Sequence, residues 1–185
     1  SRSWAYQERN EQFEEGARSK GRKSGMEHIP LPSQPHQVWR LPIQEGYKTL
    51  TRDGSPAGPL LGEFEEYDGA ETGSFIGALS YLYVTNDHAT TFRFTPKSPD
   101  FTEVLVSWLV REDAKEGVDY DLDHLKWMWD VTPIQDPKII NNNQNGVNSS
   151  HYSPGQYSEY ELETDEFTSC SFWRITVRTY LATTT

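Results

Sequence analysis

A chain of 185 residues with 35% hydrophobic and 24% charged residues is long enough for one hydrophobic core and ordinary for a globular domain. Its 28 acidic and 17 basic residues give a net charge of -11, which repels phosphate backbones and argues against nucleic acid as a partner. Cys170 is the single cysteine, which excludes an intrachain disulfide and a cysteine-built zinc or iron–sulfur knuckle and fits a reducing cytoplasm, and no apolar run reaches the roughly 18 residues of a membrane span.

The chain opens Ser1-Arg2-Ser3-Trp4, without an initiator methionine, and so reads as a processed product or a fragment. Residues 6–23 are mostly polar with mixed charges, and only Tyr6, Phe13 and Ala17 suggest a narrow apolar stripe, so a short solvated helix is expected. From Ile29 to Gly73 prolines and glycines punctuate the chain. Short extended pieces are expected at Val38–Ile43 and Tyr47–Thr51, with a turn at Asp53-Gly54-Ser55-Pro56.

Three runs then carry the β-branched and aromatic enrichment of strands: Ser74–Thr85, His88–Thr95 and Phe101–Val110. They read as consecutive antiparallel strands. In the last, Val104, Val106, Trp108 and Val110 share one face, and Phe92 and Phe94 share a face in the middle one, so these faces are expected to meet the core. After Gly117 the apolar spacing turns helical, with Leu122, Leu125, Met128 and Trp129 behind the acidic start Asp119–Asp123. Pro133 interrupts this pattern, and a second helix starts at Thr132-Pro133 or at Asp136-Pro137 and stops near Asn145-Gly146. Strands first and a long helix late imply an α+β domain over 1–185, in which a curved antiparallel sheet grips a C-terminal helix and leaves a cavity between them.

The five histidines, His28, His36, His88, His124 and His151, never stand three to five residues apart, so no complete metal site is written in the chain. Each reads first as a surface or structural residue; His88 falls in a turn and His124 on a polar stripe. No nucleophile elbow, phosphate-binding glycine loop or dinucleotide fingerprint is present, which removes the usual support for hydrolase and kinase chemistry. Cys170, in an apolar stretch, reads as a packing residue.

The most informative segment is Trp129–Ser158, WDVTPIQDPKIINNNQNGVNSSHYSPGQYS. Its Gln-Asp, apolar pair, Asn-Gln-x-Gly-Val-x-Ser and Tyr-x-Pro-Gly-x-Tyr-Ser resemble the C-terminal part of the catalytic domain in alpha subunits of Rieske ring-hydroxylating and quaternary-ammonium oxygenases. The resemblance is concentrated after Trp129 and includes Tyr152, Pro154, Gly155 and Tyr157. It implies a helix-grip, START-like fold, incomplete in this chain, with the Rieske domain and two histidine ligands lying upstream.

In that family the aspartate eight residues before the glutamine is the carboxylate of a two-histidine, one-carboxylate iron site. Asp136 stands eight residues before Gln144 and takes this role by resemblance. Such a set binds one face of Fe(II) and leaves the opposite positions open for dioxygen and substrate. The simpler reading of Asp136-Pro137 is a helix N-cap followed by proline at N1, with the cap stabilising by about 1 kcal/mol. Trp129, Ile140 and Asn143 would share a stripe with Asp136 and are candidate substrate contacts, against ordinary core packing for Trp129 and Ile140.

The resemblance further implies a parent enzyme with mononuclear Fe(II) and a [2Fe-2S] Rieske cluster, fed by a reductase or ferredoxin, assembled as a trimer-type ring, and inserting oxygen from O2 into an aromatic or N-methylated, betaine-like substrate. This chain alone is expected to be inactive. The rival reading is a non-catalytic helix-grip module that binds a hydrophobic ligand. One departure from the family lies after Phe167, where Thr168-Ser169-Cys170-Ser171 precede Phe172-Trp173 in place of an earlier Trp-Tyr-Leu cluster.

Overall fold

The computed structural model describes residues 2–29, 36–76 and 79–153. The elements run α1 (Arg2–Ser19), β1 (Gly25–Ile29), β2 (His36–Pro42), β3 (Ala70–Phe75), β4 (Ser80–Val84), β5 (Ala89–Ser98), β6 (Phe101–Leu109), α2 (Leu122–Gln135) and α3 (Pro137–Val147). The six strands form one sheet in sequence order. β1 to β5 pair antiparallel, and the two-residue link between β5 and β6 is short enough only for an antiparallel return. The fold is therefore α+β: an antiparallel sheet followed by two helices.

The chain divides into two compact units. The first holds residues up to 94 and 104–128, and the second holds 95–103 and the residues from 129 on.

In the first unit α1 lies along β2 and buries Ala17, the only one of its three apolar-stripe residues that reaches full burial among those described. The opening therefore forms the expected solvated helix. The expected Val38–Ile43 piece is β2, whereas Tyr47–Thr51 is a series of bends and not a strand. Its polar Thr49 and Thr51 are nonetheless fully buried. The turn expected at residues 53–56 forms as an Asx-turn: Ser55 donates its backbone N–H and its hydroxyl to Asp53 Oδ1 at 3.0 and 2.6 Å. Gly54 takes φ +74° there, and a Cβ would lie 2.3 Å from the Tyr47 ring.

Two strand expectations need correction. Ser74–Thr85 is not one strand; β3 ends at Phe75, β4 begins at Ser80, and the Ile76 N–H donates to the Ser80 carbonyl at 2.9 Å to close the hairpin. β6 does not bury its valine face, since Val104 is exposed, Val106, Trp108 and Val110 are half-buried, and Leu105 and Leu109 on the other face are exposed. Phe92 does reach the core, with Phe94 half-buried beside it.

The expected helical pattern after Gly117 becomes α2, anchored in the first unit by Leu125, which is 2% exposed. Asp121 accepts the His124 backbone N–H at 2.8 Å and so caps the first turn. α2 runs through Pro133 to Gln135, and the second helix begins at the later of the two sites considered, with Asp136 at the N-cap and Pro137 at N1. α3 ends at Val147, two residues beyond Asn145, and buries none of its residues.

Candidate functional site

Asp136 stands at the break between the two helices. Its backbone is itself helical (φ -78°, ψ -33°), and its carbonyl accepts the N–H groups of Ile139 and Ile140, both at 2.9 Å. Its side chain makes no capping hydrogen bond, because a cap carboxylate reaches back to the first-turn amides only from an extended backbone. The simpler N-cap reading thus holds for position but not for the side chain, which is exposed. Ile140 lies one helical turn beyond Asp136 and Asn143 about two, both exposed; Trp129, seven residues earlier on α2, is half-buried. Ile139 and Ile140 are 69% and 62% exposed, so core packing does not account for them.

Among the described residues no group of three or more His, Cys, Asp or Glu side chains is placed to hold a metal. Asp136 thus fits the carboxylate role in being exposed and uncommitted to capping, but the described residues do not supply a complete iron set. Tyr152 is exposed, while Pro154, Gly155, Tyr157 and the segment around Phe167–Trp173 lie outside the described residues.

The densest polar cluster is one that sequence reasoning did not assemble. Asn86-Asp87-His88 forms the turn between β4 and β5, closed by the Thr85 N–H on the His88 carbonyl at 2.9 Å. Asp87 is fully buried, and its Oδ1 meets His88 Nδ1 at 2.8 Å, the Thr49 hydroxyl at 2.6 Å and the Thr85 hydroxyl at 3.0 Å. Its Oδ2 accepts the Ala57 N–H at 2.7 Å and faces the Tyr67 hydroxyl at 3.3 Å. Burial alone would raise the Asp87 carboxyl, but the bond and charge interaction with His88, with the bonds from Thr49 and Ala57, hold it down at about 2. Tyr67 is pushed well up, by burial first and by Asp87 second. Asn86 adds its carbonyl to the Leu61 N–H at 2.8 Å and its side-chain oxygen to the Asp68 N–H at 3.3 Å. The turn therefore fastens the proline- and glycine-rich segment to the sheet, and His88 is structural, as its turn position suggested.

A second feature is an aromatic face on the same sheet. Cross-strand pairing sets Trp39 opposite Gly73, Gly73 opposite Tyr83, Phe75 opposite Tyr81 and Tyr81 opposite Phe92, so these residues share one side. Ring centroids are 5.5 Å apart for Trp39 and Phe75, 5.8 Å for Trp39 and Tyr83, and 4.7 Å for Phe75 and Tyr81, the last two edge-to-face. The Trp39 indole lies directly on Gly73, where a Cβ would come within 2.0 Å of the ring. Glu71 shares this face, and its carboxylate accepts the Trp39 indole N–H.

A shallow cleft of about 360 Å³ is lined by Pro56, Ala57, residues 117–121 and His124. His124 Nε2 is 3.1 Å from the Ser55 hydroxyl, which is already bonded to Asp53, so the histidine braces the Asx-turn.

Residues 78–173 match the model of the ring-hydroxylating alpha subunit, catalytic domain, over more than half of the chain. The chain belongs to this family. The matched residues correspond to a part of that alpha subunit's catalytic domain. Two relatives are glycine betaine monooxygenase oxygenase subunits: one from Chromohalobacter salexigens, 38% identical over 141 residues, and one from Pseudomonas aeruginosa, 36% identical over 129 residues. The alignments cover 71% and 69% of this chain and 30% of each relative, so the chain spans about 30% of the length of the curated relatives it matches. In this alpha-subunit segment the family match takes in Asp87, His88, Trp129, Asp136, Ile140 and Asn143, whereas Trp39 and Glu71 precede it.

Proposed function

We propose that this chain is a single portion, residues 1–185, of the mononuclear-iron catalytic domain of a Rieske-type oxygenase, and that Asp136 supplies the carboxylate ligand to Fe(II). The supporting observation is that Asp136 starts a helix inside the family-matched span while its side chain caps nothing and stays exposed. The two imidazoles would come from histidines outside the described residues. When bound, the iron would supply dioxygen activation, with electrons delivered from a [2Fe-2S] cluster elsewhere in the parent protein by a reductase or ferredoxin.

This chain's own part is to present the carboxylate and to wall the substrate site. In a helix-grip arrangement, incomplete here, Trp129, Ile140 and Asn143 would face the substrate along the stripe that begins at Asp136. The exposed Ile139 and Ile140 support that reading, because an apolar pair on a helix that buries nothing needs an apolar counterpart. The substrate is an organic molecule, aromatic or N-methylated, and oxygen from O2 is inserted into it; the relatives' names favour the N-methylated class. The parent would assemble as a trimer-type ring in the cytoplasm, where a single cysteine stays reduced. Among the described residues no helix is long and apolar enough to cross a membrane.

A non-catalytic module binding a hydrophobic ligand is the alternative, favoured by the aromatic sheet face, but it gives Asp136 no role. Dioxygen uptake by the intact alpha subunit with its reductase, on glycine betaine and on an aromatic acid, tests the proposal. Substrate-dependent uptake is expected on one of them, and none on either would leave the binding module.

A further inference from the structure

We infer that Asn145 is a modification site: in the folded protein it converts spontaneously to an aspartate or isoaspartate through attack by the peptide nitrogen that follows it. The inference goes beyond the oxygenase reading and does not depend on it, since no group assigned to iron or substrate takes part.

The chemistry needs a free carboxamide, a following residue that does not crowd its own peptide nitrogen, and a backbone able to leave the helical conformation. The Gly146 nitrogen bonds to Asn145 Cγ, the Cγ–Nδ2 bond breaks, and the amide nitrogen leaves as ammonia with the proton from the Gly146 nitrogen. Water then opens the cyclic imide at one carbonyl or the other. The new carboxylate stands either on the normal backbone or beside an added main-chain carbon, and no oxidant, reductant or cofactor is consumed.

Asn145 meets each requirement. It is exposed, and no other described residue bonds its carboxamide. Gly146 is exposed as well, and the space where a Cβ would stand is empty to 4 Å. Both residues lie in the last turn of α3, an 11-residue helix that buries none of its residues. A helix shorter than roughly 12–15 residues is marginal without packing, and its ends open at little cost, the more so with glycine there. Asn145 also lies about two and a half turns beyond Asp136, on the side of α3 opposite Asp136, Ile140 and Asn143. An element covering that stripe would leave Asn145 in solvent.

The other asparagines of the segment each fail a requirement. Asn141, Asn142 and Asn143 precede residues with side chains and lie farther from the helix end. Asn148 has its carboxamide oxygen held by Gln144 Nε2 at 3.1 Å, and the Ser149 nitrogen that would attack it donates to the Gly146 carbonyl at 3.1 Å. At Asn145 the product carboxylate falls among the C-terminal carbonyls of α3, where the helix dipole disfavours negative charge, so the modification loosens the last turn.

The test is peptide mapping by mass spectrometry of the intact alpha subunit aged at pH 6 and pH 8, with and without urea. Acid forms at Asn145 are expected to accumulate at least about tenfold faster than at Asn148, and at a rate within about tenfold of that in urea. The rate is expected to rise with pH, because the attacking nitrogen must lose its proton. Gly146→Ala, for which there is room, is expected to slow the reaction at least about tenfold. Asn145→Asp is expected to speed hydrogen exchange of the Asn148 and Ser149 amides, which close the last turn on the Gln144 and Gly146 carbonyls. A folded-state rate more than about tenfold below the urea rate, a smaller margin over Asn148, or an undiminished rate in Gly146→Ala overturns the site. Unchanged exchange in Asn145→Asp overturns the loosening of the turn.

Discussion

His88 Nδ1 lies 2.8 Å from Asp87 Oδ1, and both side chains are almost completely removed from solvent. The same carboxylate collects the hydroxyl of Thr49 and the backbone N–H of Ala57, both from the segment ahead of β3. Asp87→Ala leaves the Ala57 N–H without its acceptor and His88 without its carboxylate, while Thr49 keeps the Thr85 hydroxyl at 2.9 Å, and it is expected to cost about 3–5 kcal/mol, measured by urea unfolding. A cost below about 1 kcal/mol would show that the turn does not fasten the segment.

The same carboxyl sets an acid limit on stability. Its folded value, about 2, lies below the ordinary 3.8, so its contribution is fully present above about pH 4 and is lost as the pH falls through about 2. From that shift the contribution is about 2 kcal/mol. Unfolding free energies of wild type and Asp87→Asn, compared between pH 6 and pH 2, are expected to converge toward the acid end; a constant difference would contradict the linkage.

Gly73 is required by the indole that rests on it. Gly73→Ala places a methyl within 2.0 Å of the Trp39 ring, so the ring must move. A loss of about 1–3 kcal/mol is expected, with a changed tryptophan emission spectrum. An unchanged spectrum and stability would mean that the indole does not lie on this glycine.

Leu125 is the side chain that anchors the first turns of α2. Leu125→Ala is expected to lower stability by about 2–5 kcal/mol in thermal or urea unfolding, whereas Leu122→Ala, at an exposed position of the same helix, should change it by less than about 1 kcal/mol.

Much of the sheet was legible because strand residues announce themselves: β2, β5 and β6 coincide closely with runs of β-branched and aromatic residues. The hairpin between β3 and β4 was not, since Phe75-Ile76 and Leu79 continue the apolar run through the bend and hide it. β1 escaped notice because Gly25-Met26-Glu27-His28-Ile29 is neither alternating nor β-rich, and it is placed by pairing with β2. The choice of Asp136-Pro137 as the second helix start was open in the sequence, as both Xaa-Pro pairs satisfy the N1 preference; the backbone decided it. Asp87 and Glu71 were not legible as site residues at all. Their partners are distant in sequence, Thr49 lying 38 residues from Asp87 and Trp39 lying 32 residues from Glu71; strand register brings Glu71 to Trp39, whereas the bent Tyr47–Thr51 segment folding onto the β4–β5 turn brings Thr49 to Asp87.

Asp136 carries the central claim, and one measurement bears on it most directly: iron content and dioxygen-dependent turnover of the intact alpha subunit, wild type against Asp136→Ala. Because the side chain caps no helix, the substitution is expected to leave thermal stability within about 0.5 kcal/mol. Loss of both iron and turnover from a protein that still folds is the predicted result. Full iron content and unchanged turnover in the variant would contradict the assignment of Asp136 as the carboxylate ligand.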